Sequence, residues 1–150
     1  MNPERVRPPL REVLLVEDNP ADVRLTTDLL GQGGAPKRVS VARDGDEALA
    51  FLRREGRFAA APRPDLVVLD LNLPGRDGRD VLAEIKRDAE LRSIPVVVLT
   101  TSSAPQDVRR AYDLHANCYI VKPVGLAAFA AAIRAIEQLW FSVAQLPQRY

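Results

Sequence analysis

Five short apolar runs, each rich in β-branched residues and each followed by a stretch of helical period, constrain this chain more than any other feature. The runs are residues 12–17 (EVLLVE), 38–42 (RVSVA), 65–70 (DLVVLD), 95–100 (PVVVLT) and 118–121 (CYIV). Strands this continuously apolar are covered on both faces, which is the pattern of a parallel sheet with a helix in every crossover. The intervening segments open with helix-start chemistry: Asn19 before Pro20, Asp44 before Gly45, Asp77 after Pro74 and Gly75, and Ser102 with Ser103 before Pro105. Because βαβ crossovers are right-handed, ten alternating elements predict a doubly wound α/β domain that binds its ligands beyond the carboxyl ends of the strands.

Size and composition agree with one such domain. At 150 residues and 16.5 kDa the chain builds one core and is too short for two. The expected organisation is a flexible arm over residues 1–11, a domain over 12–146 ending in an extended helix, and a tail over 147–150. The 47% hydrophobic and 27% charged content excludes a disordered, collagen-like or coiled-coil chain. The net charge of +1 gives no overall pull on nucleic acid or anionic lipid, although Arg5, Arg7 and Arg11 make the arm locally basic, so no direct DNA binding is expected. A single cysteine, Cys118, excludes an internal disulfide and a Cys-rich zinc site, and reads as a small buried hydrophobe. No secretory leader is recognisable, and the uncharged stretch 123–133 falls short of the ~18–20 residues of a membrane span. A cytoplasmic protein without a membrane segment is expected.

The residues at the strand ends carry the chemistry. Glu17 and Asp18 follow the first run, Asp70 ends the third, Thr100 ends the fourth and Lys122 follows the fifth. Carboxylates crowded at one sheet edge repel one another unless a carboxyl pKa rises or a hard divalent cation is bound among them. Mg²⁺ suits the set, because it takes oxygen from one or two carboxylates and leaves coordination open to a phosphoryl oxygen. An aspartate beside that cation attacks phosphorus in line to give an aspartyl phosphate, with a lysine and a hydroxyl on the transferred oxygens, and the central Asp70 is the nucleophile of choice. Taken singly, Glu17 with Asp18 is an acidic capping turn, Thr100 a β-branched strand residue, Lys122 with Pro123 a turn, and Tyr119 a half-exposed strand aromatic. The lone His115 reads as a surface residue near a helix end, with no catalytic role.

The separations Asp18 to Asp70, Asp70 to Thr100 and Thr100 to Lys122, together with VEDN, LDLNLPGRDG, VVVLTTS and YIVKP, resemble the receiver domain of two-component response regulators over roughly residues 12–136. The resemblance implies a flavodoxin-like five-stranded sheet of order 2-1-3-4-5 and phosphorylation of Asp70 by a histidine kinase. It implies Mg²⁺ on Asp18, Asp70 and the backbone carbonyl of Asn72, with Glu17 assisting through water. It implies a hydrogen bond from Thr100 to the phosphoryl group, an ion pair from Lys122, a cis peptide before Pro123, and Tyr119 as the aromatic that swings inward when Thr100 is drawn to the phosphate. Glu at position 17, where the pattern commonly has Asp, sets that carboxylate one methylene further out. Thr101, bulkier than the Ala or Gly common there, is expected to hinder the hydrolytic water and lengthen the life of the phosphate. The chain is then a signalling protein with no enzymatic turnover beyond its own phosphorylation and dephosphorylation, acting on a downstream protein or phosphotransfer domain without an attached output domain.

From Leu126 the apolar residues Leu126, Phe129, Ile133, Ile136, Trp140 and Val143 are spaced 3-4-3-4-3, the seam of a helix that packs on a helix. A helix running to Leu146 leaves Leu139, Phe141 and Leu146 off that seam with nothing in a small domain to cover them, which predicts a homodimer through Leu139, Trp140, Phe141, Val143 and Leu146. The competing reading ends the helix near Ile136. The ending ANCYIVKPV, then IEQLW and QLP, resembles the stand-alone receivers that serve phytochrome-type light-sensing histidine kinases, which implies a bilin photoreceptor kinase, bacteriophytochrome included, as partner. Two other readings stay open. A phosphatase with an aspartyl nucleophile of the haloacid-dehalogenase type requires a second aspartate where Asn72 stands, and an interaction module with a vestigial pocket sits poorly with an intact residue set. Neither G-x-G-x-x-G nor G-x-x-x-x-G-K is present for nucleotide binding.

Overall fold

A computed structural model describes residues 9–147; Arg5 and Arg7 of the expected arm and residues 148–150 of the expected tail lie outside the described residues. The elements run β1 (Arg11–Val16), α1 (Pro20–Gly31), β2 (Lys37–Ala42), α2 (Gly45–Arg53), a 3₁₀ turn (Gly56–Phe58), β3 (Leu66–Leu69), α3 (Gly78–Arg87), β4 (Val96–Thr100), α4 (Pro105–Asp113), β5 (Cys118–Val121) and α5 (Leu126–Gln138), followed by a π-helical segment (Leu139–Val143). The sheet is wholly parallel, in the order β2-β1-β3-β4-β5.

Strand alternation divides the core in two. Leu14, Val16, Val67, Leu69, Val96 and Val98 face α2, α3 and α4, where they meet Leu49, Phe51, Leu52, Val81, Leu82 and Ile85. Val13, Leu15, Leu66, Val68, Val97 and Leu99 face α1 and α5, where they meet Val23, Leu29, Leu30, Phe129, Ile133 and Ile136. The helix-start chemistry operates as expected at three places: Asn19 accepts from the Ala21 and Asp22 N–H groups, Asp44 from Glu47 N–H, and Asp77 from Arg79 N–H. At α4 it does not. Ala104 occupies the cap without a side-chain bond, and Ser102 instead donates its hydroxyl to Asp107 in the first turn of the helix. The peptide before Pro123 is trans, against the expected cis bond; no cis peptide occurs among the described residues.

The C-terminal segment departs most from expectation. It is not a straight helix to Leu146: regular α-helix stops at Gln138, one π turn follows, and the chain becomes extended at Ala144. The π turn carries Trp140 and Phe141 against the α1–α5 side of the core, and the extended chain beyond it lets Leu146 become buried. Of the predicted seam, Phe129, Ile133 and Ile136 are core residues, whereas Leu126 and Val143 are 68% and 72% exposed. Leu126–Val143 together span 18 residues at mean hydropathy 1.3, long and apolar enough to cross a membrane by those measures, a longer stretch than the uncharged run alone predicts. It nonetheless carries Arg134 and Glu137 and sets its apolar stripe into the domain core.

A buried ion pair fastens this segment. Lys37 at the start of β2, its side chain wholly buried, donates to Glu137 at 2.9 Å and to the Ala35 carbonyl at 2.6 Å, and its ammonium lies 5.4 Å from the centre of the Phe141 ring. Removing one partner of such a pair leaves an uncompensated charge, worth about 3 kcal/mol. Glu137→Ala is expected to lower stability by roughly that amount in urea titration, and replacing Lys37 by Met in the same chain is expected to recover most of the loss.

Candidate functional site

The carboxyl edge of the sheet brings the predicted residues together. Glu17 and Asp18 continue from β1, Asp70 from β3, Thr100 closes β4, and Lys122 follows β5 with its N–H on the Thr100 carbonyl at 2.7 Å. Lys122 Nζ lies at the centre. It donates to Glu17 Oε1, to Asp22 Oδ2 at 2.9 Å and to Asp70 Oδ2 at 3.1 Å. Glu17 and Asp70 are buried and Asp18 is exposed. The three offer carboxylate oxygens all within 4.8 Å of one another, a spacing and chemistry that fit a hard divalent cation.

Local structure aims these groups. Asp70 Oδ1 accepts the Asn72 N–H at 3.1 Å, which fixes the carboxylate against its own loop, and Glu17 Oε2 accepts the Asp18 N–H at 3.0 Å. The β3–α3 loop closes where Gly78 N–H donates to the Leu71 carbonyl at 3.0 Å. A Cβ at Gly78 would stand 2.4 Å from the Asp70 carbonyl oxygen and 2.6 Å from Leu71 Cα, so only glycine permits the loop to close there.

The electrostatics follow from burial and from the single cation. Burial raises the Glu17 carboxyl, the Lys122 hydrogen bond offsets part of the rise, and the Asp70 charge adds to it, leaving the group at about 7. For Lys122 burial acts downward, but the hydrogen bonds to Glu17 and Asp22 and the charges of Asp70 and Glu17 outweigh it, so the ammonium titrates above the ordinary lysine value. Lys122 is charged throughout the neutral range.

Thr100 is fully buried, and its Oγ1 accepts from Asn72 Nδ2 at 3.4 Å, the outer limit of a hydrogen bond. Tyr119 is half-buried against the α2–α3–α4 side of the core and donates its hydroxyl to the Ser102 carbonyl at 2.9 Å. That loop is tied further by the Ser102 hydroxyl on Asp107 and by Arg79 on Asp107 at 2.8 Å, so the segment after Thr100 is anchored to α3, α4 and β5. His115 is exposed in a left-handed conformation after α4, and Cys118 is only half-buried. Sequence reasoning did not find Asp22 or the Arg79–Asp107–Ser102 chain. A signal for Asp22 exists: it stands three residues after the Asn19 cap, in the first turn of a helix that starts at the carboxyl end of β1.

A doubly wound sheet with an acidic triad, a buried lysine and a buried threonine at its carboxyl edge is the architecture of a phosphoacceptor signalling domain. The chain belongs to the response regulator receiver domain family, which it matches over residues 13–134. It is 45% identical over 139 residues to response regulator Rcp1 of Synechocystis sp., covering 93% of this chain and 95% of that protein. The Mn²⁺-bound form of Rcp1 superposes with a TM-score of 0.89 at 45% identity, covering 92% of this chain and 99% of that one. The phosphorylated cyanobacterial phytochrome response regulator RcpA superposes at 0.91 with 51% identity, covering 93% of this chain and all of that one. The bacteriophytochrome response regulator RtBRR gives 0.72 and 41% identity, covering 93% of this chain and 85% of its own. This chain is thus a receiver domain related to phytochrome response regulators, a class whose partner is a sensor kinase and whose acidic pocket takes a divalent metal.

Gly78→Ala is expected to destabilise the fold by about 1–3 kcal/mol through overpacking, and to weaken divalent-metal binding by displacing the loop that carries Asp70 and Asn72. Urea titration and calorimetric metal titration read the two effects.

Proposed function

We propose that a histidine kinase of phytochrome type phosphorylates this chain on Asp70, and that the protein signals through the surface that changes when Thr100 and Tyr119 respond. The observation that carries this reading is the setting of Asp70: buried, with one carboxylate oxygen on Lys122 Nζ and the other on the Asn72 N–H, next to the oxygens of Glu17 and Asp18. Asp18, Asp70 and the Asn72 carbonyl would hold Mg²⁺, with Glu17 reaching it through water, and the ion supplies charge neutralisation for the phosphoryl oxygens. Asp70 attacks phosphorus, Lys122 steadies the transferred oxygens, and Thr100 hydrogen-bonds the product, drawing its loop inward. Tyr119 donates its hydroxyl to the Ser102 carbonyl, two residues beyond Thr100, and that bond would pass a movement of Thr100 to Tyr119.

The kinase partner is read as a bilin-binding phytochrome because both the sequence ending and the relatives point that way. The site of action is read as the cytoplasm, and the output as a downstream protein or phosphotransfer domain. Asn72, standing where a dehalogenase-type phosphatase needs its second aspartate, disfavours general phosphatase activity. With acetyl phosphate and Mg²⁺, intact-protein mass spectrometry is expected to show one alkali-labile phosphoryl adduct. Asp70→Asn and chelation are each expected to abolish it, whereas Thr100→Ala is expected to retain the adduct and weaken the change around Tyr119. An undiminished adduct in Asp70→Asn contradicts the assignment.

The homodimer also belongs to this reading, with its surface narrowed. Leu139 and Val143 stand 46% and 72% exposed beside the half-buried Trp140 and Phe141, whereas Leu146 is buried in its own domain and contributes nothing. A two-fold partner presents the same patch and closes the contact. Val143→Glu is expected to yield a monomer by light scattering that still accepts phosphate, since Val143 follows the end of α5 that Glu137 fastens to the start of β2, at the sheet edge opposite the pocket; a wild type of about 16.5 kDa at micromolar concentration overturns the dimer.

A further inference from the structure

The Lys122 ammonium has three N–H donors, and three carboxylates take them: Glu17, Asp22 and Asp70. These acceptors are not equivalent. The Glu17 and Asp70 side chains are 4% and 9% exposed, and Asp22 is 30% exposed. Asp22 sits on the first turn of α1, where Asn19 Oδ1 accepts its N–H at 3.1 Å, so the Lys122–Asp22 ion pair ties the pocket to the capped end of that helix. Losing Lys122 would leave Glu17 a buried carboxylate without its cation, while Asp22 would exchange its ion pair for water.

We propose that Asp22 is a positioning residue that competes with the phosphoryl group for Lys122: it holds the ammonium in the unphosphorylated protein, releases it to a phosphoryl oxygen, and so restrains phosphorylation and carries the event to the first turn of α1. This rests on the reading of Lys122 as the partner of the phosphoryl group on Asp70. In transfer from acetyl phosphate an Asp70 carboxylate oxygen forms the new O–P bond as the bond from phosphorus to the acetate oxygen breaks. Acetate leaves with that electron pair, and Lys122 contributes hydrogen bonds and no proton. Before transfer every Lys122 donor is occupied, and of the two acceptors that stay carboxylates through the reaction, Glu17 and Asp22, it is Asp22 whose release meets water and not the protein interior. Its own charge, close to the incoming anion, opposes the transfer as well.

The test compares wild type, Asp22→Asn and Lys122→Met at saturating Mg²⁺, with beryllium fluoride as the phosphoryl analogue titrated by calorimetry in 0.1 M and 1 M NaCl. Asp22→Asn is expected to bind beryllium fluoride roughly three- to tenfold more tightly, and most of the gain is expected to survive at 1 M NaCl, because a direct contact is screened far less than repulsion at a distance. With acetyl phosphate, the same variant is expected to lower the apparent KM more than it changes the maximal rate. In the wild type, beryllium fluoride is expected to raise amide exchange over residues 21–25, and this measurement stands even if the variant proves less stable. Equal or weaker binding by Asp22→Asn, a gain that vanishes at high salt, or unchanged exchange in α1 overturns the role of Asp22. Wild-type affinity in Lys122→Met overturns instead the reading of Lys122 on which it depends.

Discussion

One ammonium at the carboxyl edge of the sheet, Lys122 Nζ, holds together carboxylates that β1, α1 and β3 deliver from separate parts of the chain. Without it, Glu17 and Asp70 would be buried acids facing each other with no cation between them, and repulsion would have to be met by protonation or by opening the pocket. The parallel topology makes the convergence possible, because every strand ends at the same edge, and each crossover helix begins there. Lys122 is tied to β4 through its backbone bond to Thr100, so the residue that balances the charge is fixed to the strand that carries the buried hydroxyl. Charge balance and the buried Thr100 hydroxyl are therefore joined through one backbone hydrogen bond between β4 and the end of β5.

The far side of the molecule is governed by a second buried ion pair. Lys37 and Glu137 join β2 to the end of α5, and the Phe141 ring lies near the same ammonium, so the π turn is a docked part of the domain. This contact, with Trp140 and Phe141 on the α1–α5 core, leaves Leu139 and Val143 outward. The exposed apolar surface of the C-terminal segment is thus smaller than a straight helix would present, and its position is set by interactions within one chain.

The fold was legible because its signals are redundant: five apolar runs, helix caps at Asn19, Asp44 and Asp77, and residue types at strand ends that fit one chemistry. Glu17, Asp18, Asp70, Thr100 and Lys122 are legible in the sequence because parallel topology alone sends them to one edge. Asp22 is not legible in this way, because its contact with Lys122 depends on the direction of a side chain in a helical turn, which no run of hydrophobicity records. The α4 cap differs from the sequence expectation because Ser102 has two possible partners, and the Asp107 carboxylate, itself held by Arg79, takes its hydroxyl. The end of α5 departs from the periodicity for a related reason. The 3-4 spacing continues through Trp140 and Val143, but the pull of Lys37 on Glu137 and the packing of Trp140 and Phe141 accompany a π turn that periodicity cannot anticipate.

The buried carboxylate of Asp70, and no other acid in the cluster, is predicted to become the acyl phosphate. Borohydride reduces an acyl phosphate to the alcohol and so converts a phosphorylated aspartate to homoserine, a permanent mark that peptide mass spectrometry locates. Applied after phosphorylation in Mg²⁺, this chemistry is predicted to place homoserine at position 70 alone. Homoserine at position 18 or 22, or the corresponding alcohol at position 17, would contradict the account.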